Sequence, residues 1–204
     1  MRDILSNVKL VPPLQEGEIR RLQVGDSVTI TGTVYGIRDA TQIRIFDQGV
    51  EPPVDFQGAV CLHTAPNVKK QGDSYLPVCI GTTTSTRMDR FTPGLLERYG
   101  VRAIIGKGGL LENSVRAMQQ FGACYLAIVG GAAALETTQV EAIEGVYWED
   151  LMPECLWRFR VKDLGPLTVA IDSHGANLYA QVKREASARL AGLLQELGAP
   201  VGKK

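Results

Sequence analysis

The order of short elements between residues 88 and 131 constrains the fold of this chain more than any other feature. Thr92, which precedes a proline, is typical of a helix N-terminus. An apolar strand is then predicted at 101–105, a helix at 111–121 and a second apolar strand at 124–131. Because strand, helix and strand in succession form the unit of a parallel sheet, this region predicts a parallel α/β layer.

The first third of the chain is rich in strand patterns. Residues 26–35 alternate apolar and polar side chains, which predicts a half-buried strand, here expected as one arm of an antiparallel hairpin. Apolar runs at 58–63 and 75–81 predict two buried strands, and the segments on either side of Gly165 predict a later strand pair. We therefore expect an α/β fold in one domain over 1–204, with a β-rich first third and a parallel α/β layer sharing a core.

Composition excludes several classes of partner. The 22 Lys and Arg residues balance the 22 Asp and Glu residues, so no global field attracts nucleic acid or an acidic membrane. No apolar run reaches the roughly 18 residues of a spanning helix, and the N-terminal apolar stretch is too short for a signal peptide. We expect a cytoplasmic protein that binds neither nucleic acid nor membrane.

Cysteines and histidines are too few and too scattered for several kinds of site. None of the four cysteines, Cys61, Cys79, Cys124 and Cys155, forms a C-x-x-C pair, and the first three lie in apolar strand-like runs. The sequence therefore predicts no metal site on this chain. The chain has two histidines, which gives little support for a Ser/His/Asp triad. Any catalysis must therefore use Arg, Lys, Thr and Asp.

Three predicted loops that follow strands each carry a cation. The segment 81–89 contains five hydroxyl residues and Arg87, a set that suits a carboxylate or a phosphate. Lys107 stands in the glycine loop GKGG, and Arg38 with Asp39 follows the first long strand. Each loop alone is also compatible with an ordinary structural turn. Together, three separated cations are what a small dicarboxylate with two negative ends would need.

Two features near the C-terminus have open interpretations. His174 lies between a predicted strand and Gly175, where it could titrate near neutral pH or stabilise a turn. The last helix, expected from about Leu178 to Leu197, has leucines at helical spacing. That stripe predicts either core packing or a docking surface.

Four motifs in order resemble a known family: TGTVYGIRDA, GDSYLPVCIGTTTSTRMD, IIGKGG and MPECLWRFRVKDLGPLTVAIDSHGANL. Between residues 25 and 178 the chain resembles the β subunit of two-subunit iron-sulfur hydro-lyases, the family of class I fumarase and L-tartrate dehydratase. The resemblance implies a swivelling β/β/α domain. It also implies an α-type partner subunit whose three cysteines hold a [4Fe-4S] cluster, with no cluster ligand on this chain.

The resemblance implies roles for individual residues. Thr83 matches the threonine that abstracts a proton from carbon, and Arg38, Arg87 and Lys107 match cations that bind the substrate carboxylates. The possible supporting residues are Asp39, Thr84 and His174. Clustered cations would stabilise the aci-carboxylate charge that develops during proton abstraction. Homodimers or an α2β2 assembly are expected.

Three departures from the family pattern leave the substrate open. Thr41 and Gln42 stand where the family usually has a histidine, Ala65 replaces a common glycine and Thr82 a common proline. The expected reaction is hydration of fumarate to malate, with dehydration of L-tartrate to oxaloacetate second; mesaconate and other hydroxy diacids stay open. The alternative is a non-catalytic anion-binding or regulatory relative of the same fold.

Overall fold

A computed structural model describes residues 7–129, 131 and 133–197 of the chain. The strands within these residues are β1 (Asn7–Leu10), β2 (Ser27–Ile37), β3 (Val60–His63), β4 (Asn67–Gln71), β5 (Ser74–Cys79), β6 (Ala103–Gly106), β7 (Cys124–Ala127), β8 (Val140–Tyr147) and β9 (Leu156–Ile171). The α-helices are α1 (Glu16–Ile19), α2 (Asp39–Phe46), α3 (Thr92–Tyr99), α4 (Glu112–Phe121), α5 (Ala133–Glu136) and α6 (Leu178–Glu196). Short 3-10 helices lie at Ser85–Phe91, Thr137–Gln139 and Glu149–Leu151.

Seven strands form one sheet in the order β1-β2-β3-β6-β7-β9-β8. The neighbours β2, β3, β6 and β7 pair in parallel, and β9 pairs antiparallel with β7. The long strand β9 also pairs antiparallel with β2, so the pairings β2-β3-β6-β7-β9 close into a circuit. Helices α2, α3 and α4 lie in the connections between the parallel strands, as such pairings require. The predicted α/β class is confirmed.

Successive side chains of the short parallel strands point to opposite faces of the sheet, so the apolar residues form two separate cores. Leu62, Ile105 and other side chains of one face pack with β9 residues in the first core. Cys61 and Ile104, one position away, face the second core, which α2, α3 and α4 cover. Because successive side chains of a strand point to opposite faces, a strand buried on both sides has a continuous apolar sequence. This explains the unbroken run at 58–63.

Local signals fix the ends of α3 and α4. Pro93 lies in the first turn of α3. Backbone N–H groups there have no partner within the helix, so the missing N–H of proline costs no hydrogen bond. Gly100 and Gly122 end the two helices in the left-handed conformation, at φ 67° and 65°. The predicted helices at these positions are confirmed.

Pairing partners differ from several predictions. β2 is not a hairpin arm: its sequence neighbours pair with it in parallel, and its antiparallel partner is the distant β9. The predicted strand pair around Gly165 is one continuous strand, β9, in which Gly165 has φ 141°. β5 is not buried, because it forms a separate hairpin with β4. The predicted strand at 124–131 ends at Ala127, and residue 130 lies outside the described residues.

Beyond its first turn, the described side chains of the C-terminal helix α6 are mostly exposed. The side chains of Val182, Leu190 and Leu193 are each more than half exposed, so its apolar stripe is not core. None of the described helices is long and apolar enough to cross a membrane. The expectation of one domain over 1–204 includes residues outside the described set and stays a prediction.

Candidate active site

The carboxyl ends of the parallel strands bring three of the predicted site segments to one edge of the sheet. Ile37 of β2 pairs with His63 of β3, and Leu62 pairs with Ile105 of β6. Arg38 follows Ile37 directly, and Lys107 follows the last residue of β6. Arg38 and Lys107, 69 positions apart, therefore meet because parallel strands end at a common edge.

The hydroxyl-rich loop after β5 is fixed to the same edge by backbone pairing. Thr82 forms a bridge with Thr64, and Thr84 forms a parallel bridge with Lys107. The Thr83 amide donates to the His63 carbonyl at 3.2 Å. Thr83 therefore lies between the ends of β3 and β6. It is buried, with 9% of its surface exposed.

Asp39 connects the two arginines of the site. Arg87 donates from Nη2 to Asp39 Oδ2 at 2.9 Å and from Nε to Oδ1 at 3.2 Å. Arg38 Nε donates to Asp39 Oδ2 at 3.3 Å and also lies 3.3 Å from Glu154 Oε1. The hydrogen bond from Arg87 is the main cause that holds the pKa of Asp39 below its usual range. Asp39 is therefore an ionised partner of both guanidinium groups.

The same guanidinium contacts the threonine. Arg87 Nη2 donates to Thr83 Oγ1 at 3.1 Å. Because the hydroxyl oxygen accepts this bond, the hydroxyl proton of Thr83 remains available to another acceptor. A cationic donor at the oxygen also favours negative charge developing there. About half of the Arg87 side chain is exposed, so the guanidinium is open to a ligand as well.

Lys107 is the cation of the site without a carboxylate partner among the described residues. Its side chain is partly buried, and no carboxylate of the described residues lies within ion-pair distance of its Nζ. Gly108 follows with φ 69°, a conformation that favours glycine. An ammonium group in this position can bind an anion without first breaking an internal ion pair.

Two residues that sequence reasoning did not assign orient Arg38. The Glu154 carboxylate accepts from the Ala40 amide at 2.8 Å as well as lying beside Arg38. Gln42, noted above as a departure from the family pattern, is fully buried in α2 and donates from Nε2 to the Arg38 carbonyl at 3.3 Å. Gln42 therefore supports the backbone of Arg38. Because it is buried, it does not place a new group in the open part of the site.

The remaining predicted residues are placed differently. Thr84 is exposed and joins the site through its backbone bridge to Lys107. His174 is not brought to this edge: β9 runs antiparallel to β7, with Ile171 paired to Tyr125, so the segment after β9 lies at the opposite edge. There the His174 ring Nε2 is 3.0 Å from the Arg20 carbonyl oxygen.

The side chains of the described residues do not fit a metal or an iron-sulfur cluster. No group of three His, Cys, Asp or Glu residues within the described ranges has the geometry to hold a metal. Cys61, Cys124 and Cys155 are buried free thiols, and burial raises the pKa of Cys124 to about 12 and of Cys155 to about 11. Cluster ligands must be thiolates, which burial in an apolar interior disfavours.

A layer of buried polar groups underlies the loop. His63 Nδ1 lies 2.9 Å from Ser85 Oγ, and Tyr125 Oη lies 2.9 Å from both Ser85 Oγ and the Gly108 carbonyl oxygen. Burial lowers the pKa of His63 to about 3, so its ring is neutral. The sequence signal for this layer was a histidine inside an apolar strand run, which sequence reasoning did not single out.

The fold and the site together define a class: a β/β/α domain that presents cations and a threonine at the carboxyl edge of a parallel sheet. The sequence matches the family described as Fumarase C-terminus over residues 2–182. It is 38% identical over 189 residues to the L(+)-tartrate dehydratase subunit beta of Escherichia coli (strain K12), covering 92% of this chain and 94% of the relative. The chain therefore belongs to the fumarase C-terminal family, with the β subunits of class I fumarase and tartrate dehydratase type.

Two further relatives agree. A protein of Methanocaldococcus jannaschii named putative L(+)-tartrate dehydratase subunit beta is 34% identical over 186 residues, covering 89% of this chain and 95% of that protein. A putative fumarate hydratase class I of Geobacillus stearothermophilus is also 34% identical over 186 residues, covering 90% of this chain but 36% of that longer protein. The matching region thus occurs both as a separate subunit and as part of a longer chain.

Proposed function

We propose that this chain is the β subunit of a two-subunit hydro-lyase that removes water from, or adds water to, a C4 dicarboxylate. The observation that carries the proposal is the cluster of Arg38, Thr83, Arg87 and Lys107 at one edge of the sheet, with Arg87 bonded to Thr83. The names of the relatives include both tartrate dehydratase and fumarate hydratase, which supports the reaction class. We take L-tartrate to oxaloacetate as the first reaction to test and fumarate to malate as the second.

The charges of the site suit a substrate with two carboxylates. Arg38 and Arg87 are balanced by Asp39 and Glu154, whereas Lys107 has no such partner among the described residues. One substrate carboxylate would bind at the exposed Arg87, sharing its donors with Asp39, and the other at Lys107. The internal carboxylate keeps Arg87 extended toward Thr83 before substrate arrives.

Thr83 is the proposed proton-transfer group. Its hydroxyl would first pass its own proton to a base supplied by the partner subunit, leaving an alkoxide that the Arg87 donor stabilises. The alkoxide would then take the proton from the carbon next to the substrate carboxylate and return to the neutral hydroxyl. As the carbon loses its proton, charge moves onto the carboxylate, where the cations stabilise it. Because Thr83 is 9% exposed, little water surrounds the oxygen, and the electrostatic interactions are correspondingly stronger.

We place the [4Fe-4S] cluster on an α-type partner subunit. The described residues of this chain do not supply ligands for it, and two relatives are named as β subunits. We expect the partner to complete the site at its open edge, in an αβ pair that dimerises to α2β2 or in an assembly of β-subunit homodimers with α subunits.

The test is anaerobic reconstitution with an α-type hydro-lyase subunit, followed by assays with L-tartrate, D-tartrate, fumarate and mesaconate. We expect oxygen-sensitive dehydration or hydration of one C4 dicarboxylate that Thr83→Val abolishes. Arg90→Lys is the control, because Arg90 lies in the 3-10 helix that follows Thr83 but pairs with Asp47 on the surface. Dicarboxylate binding without turnover in a correctly assembled complex would support the non-catalytic alternative.

A further inference from the structure

Three strands and one loop meet at a buried polar cluster beneath the site. His63 of β3, Gly106 of β6 and Tyr125 of β7 stand on adjacent strands and on the helix-covered face of the sheet. Ser85, the first residue of the 3-10 helix after Thr84, fills the space above Gly106. A Cβ at position 106 would clash with Ser85 Oγ. The strand therefore needs glycine there so that Ser85 can reach both neighbours.

The cluster holds the two site loops together. The Ser85 amide donates to the Lys107 carbonyl at 3.0 Å, and Tyr125 Oη contacts the Gly108 carbonyl oxygen at 2.9 Å. Ser85 lies two residues after Thr83, and Lys107 lies one residue before Gly108. One serine therefore connects the backbone of the threonine loop to the backbone of the lysine loop.

The protons of the cluster can be assigned by counting donors. The Gly108 carbonyl can only accept, so the Tyr125 hydroxyl donates its one proton to it. Ser85 Oγ must then donate to Tyr125 Oη, and its remaining lone pair accepts from His63 Nδ1–H. His63 is therefore the Nδ1–H tautomer, and its Nε2, buried and without a partner within the described residues, is bare. Burial, by lowering the pKa of His63 to about 3, keeps the ring in this neutral form.

We propose that His63, Ser85 and Tyr125 are positioning residues that set Lys107 relative to Thr83 through this one-directional chain of hydrogen bonds. The proposal rests on the proposed function and extends it to residues that touch no substrate. The cluster does not move a proton to the substrate, because Nε2 is sealed from solvent. It fixes the distance between the group that takes the proton and the cation that holds a carboxylate.

Substitutions of His63 distinguish positioning from simple core packing. The side-chain nitrogen of asparagine is two bonds from Cβ, as Nδ1 is, so His63→Asn keeps the donor to Ser85. The side-chain nitrogen of glutamine is three bonds from Cβ, at the position of Nε2 in histidine. His63→Gln therefore loses the donor to Ser85, although glutamine is larger than asparagine. Tyr125→Phe removes the bond to Gly108, and Tyr99→Phe is its control, because the Tyr99 hydroxyl contacts Glu51 on the surface.

The first measurement uses the purified chain alone. Nitrogen-15 NMR of the imidazole should show a proton on Nδ1 and none on Nε2 of His63. Amide hydrogen exchange at Ser85 should be faster in His63→Gln and in Tyr125→Phe, and close to the unsubstituted protein in His63→Asn and in Tyr99→Phe. A proton on Nε2, or equal Ser85 exchange in the Asn and Gln variants, would overturn the proposal whatever the chain catalyses.

The second measurement uses the assembled enzyme. We expect His63→Gln to lower kcat/KM by about 10- to 100-fold, the cost of a small displacement of reacting groups, and His63→Asn to restore most of it. In a Lys107→Ala background, His63→Gln should cause no further loss, since its effect passes through Lys107. Additive losses would overturn the positioning role. Absence of any hydro-lyase turnover would overturn the proposed function and leave the NMR and exchange results to decide this inference.

Discussion

Arg87 donates to Thr83 Oγ1 at 3.1 Å while the same guanidinium binds both carboxylate oxygens of Asp39, at 2.9 and 3.2 Å. One planar group thus connects the proposed proton-transfer residue to an internal carboxylate. A lysine in its place could contact one of the two, because an ammonium group lacks the guanidinium fork. The arrangement makes separate predictions for Thr83 and Arg87.

Thr83→Val keeps the shape of the side chain and removes the hydroxyl. We expect turnover of the reconstituted enzyme to fall by about 100- to 10,000-fold, the usual contribution of a positioned acid-base group, while a dicarboxylate inhibitor still binds. Thr83→Ser is the control and should retain measurable turnover. Near-normal turnover in Thr83→Val would remove Thr83 from the mechanism.

Arg87→Lys keeps the charge and loses the fork. We expect substrate affinity to weaken by about 1.5 to 3 kcal/mol, the value of a hydrogen bond to a charged group, seen as a higher KM. Arg90→Lys, three residues along the same 3-10 helix, should leave KM unchanged, because Arg90 binds Asp47. Equal effects of the two substitutions would argue against a substrate contact at Arg87.

Glu136 predicts a pH dependence of stability with an unusual sign. Its side chain is 7% exposed, its Oε2 has no hydrogen-bond partner among the described residues, and burial raises its pKa to about 7. In the unfolded chain the carboxyl ionises near pH 4.5, whereas in the folded chain it stays protonated until about pH 7. Stability is therefore full below pH 4.5 and is lost as the pH rises toward 7.

The measurement is urea unfolding at several pH values between 4.5 and 8, with Glu136→Gln as the comparison. We expect the free energy of unfolding of the unsubstituted chain to fall by about 3 kcal/mol relative to the variant across this range. A constant difference between the two proteins from pH 4.5 to 8 would show that Glu136 is ionised in the folded state.

The cysteines predict that this chain alone carries no iron. Cys61, Cys124 and Cys155 are buried, and the raised thiol pKa values oppose the thiolate that a cluster needs. Anaerobic incubation of the purified chain with iron and sulfide should give a colourless, iron-free protein after desalting. An iron-sulfur absorption band that Cys→Ser substitutions abolish would contradict this prediction and move the cluster to this chain.

Much of the site could be predicted because its chemistry is encoded in short motifs. Arg38, Thr83, Arg87 and Lys107 were identified from strand-end loops and from the family resemblance, and the structure brings all four residues to one edge. Their roles stay proposals. Glu154 and the His63 cluster were missed, because their positions depend on contacts between residues far apart in the chain: Glu154 reaches Ala40 across 114 residues.

Elements whose signals are local could be predicted from the sequence alone: α3 and α4 with their glycine ends, and the apolar strands β3 and β6. These depend on periodicity and capping within about ten residues. Contacts between distant parts of the chain set the rest: β9 is one strand, it pairs with both β2 and β7, and Leu190 and Leu193 of α6 are exposed. A pleated strand offers the same backbone groups to any neighbour, so its partners are chosen by the packing of the whole sheet.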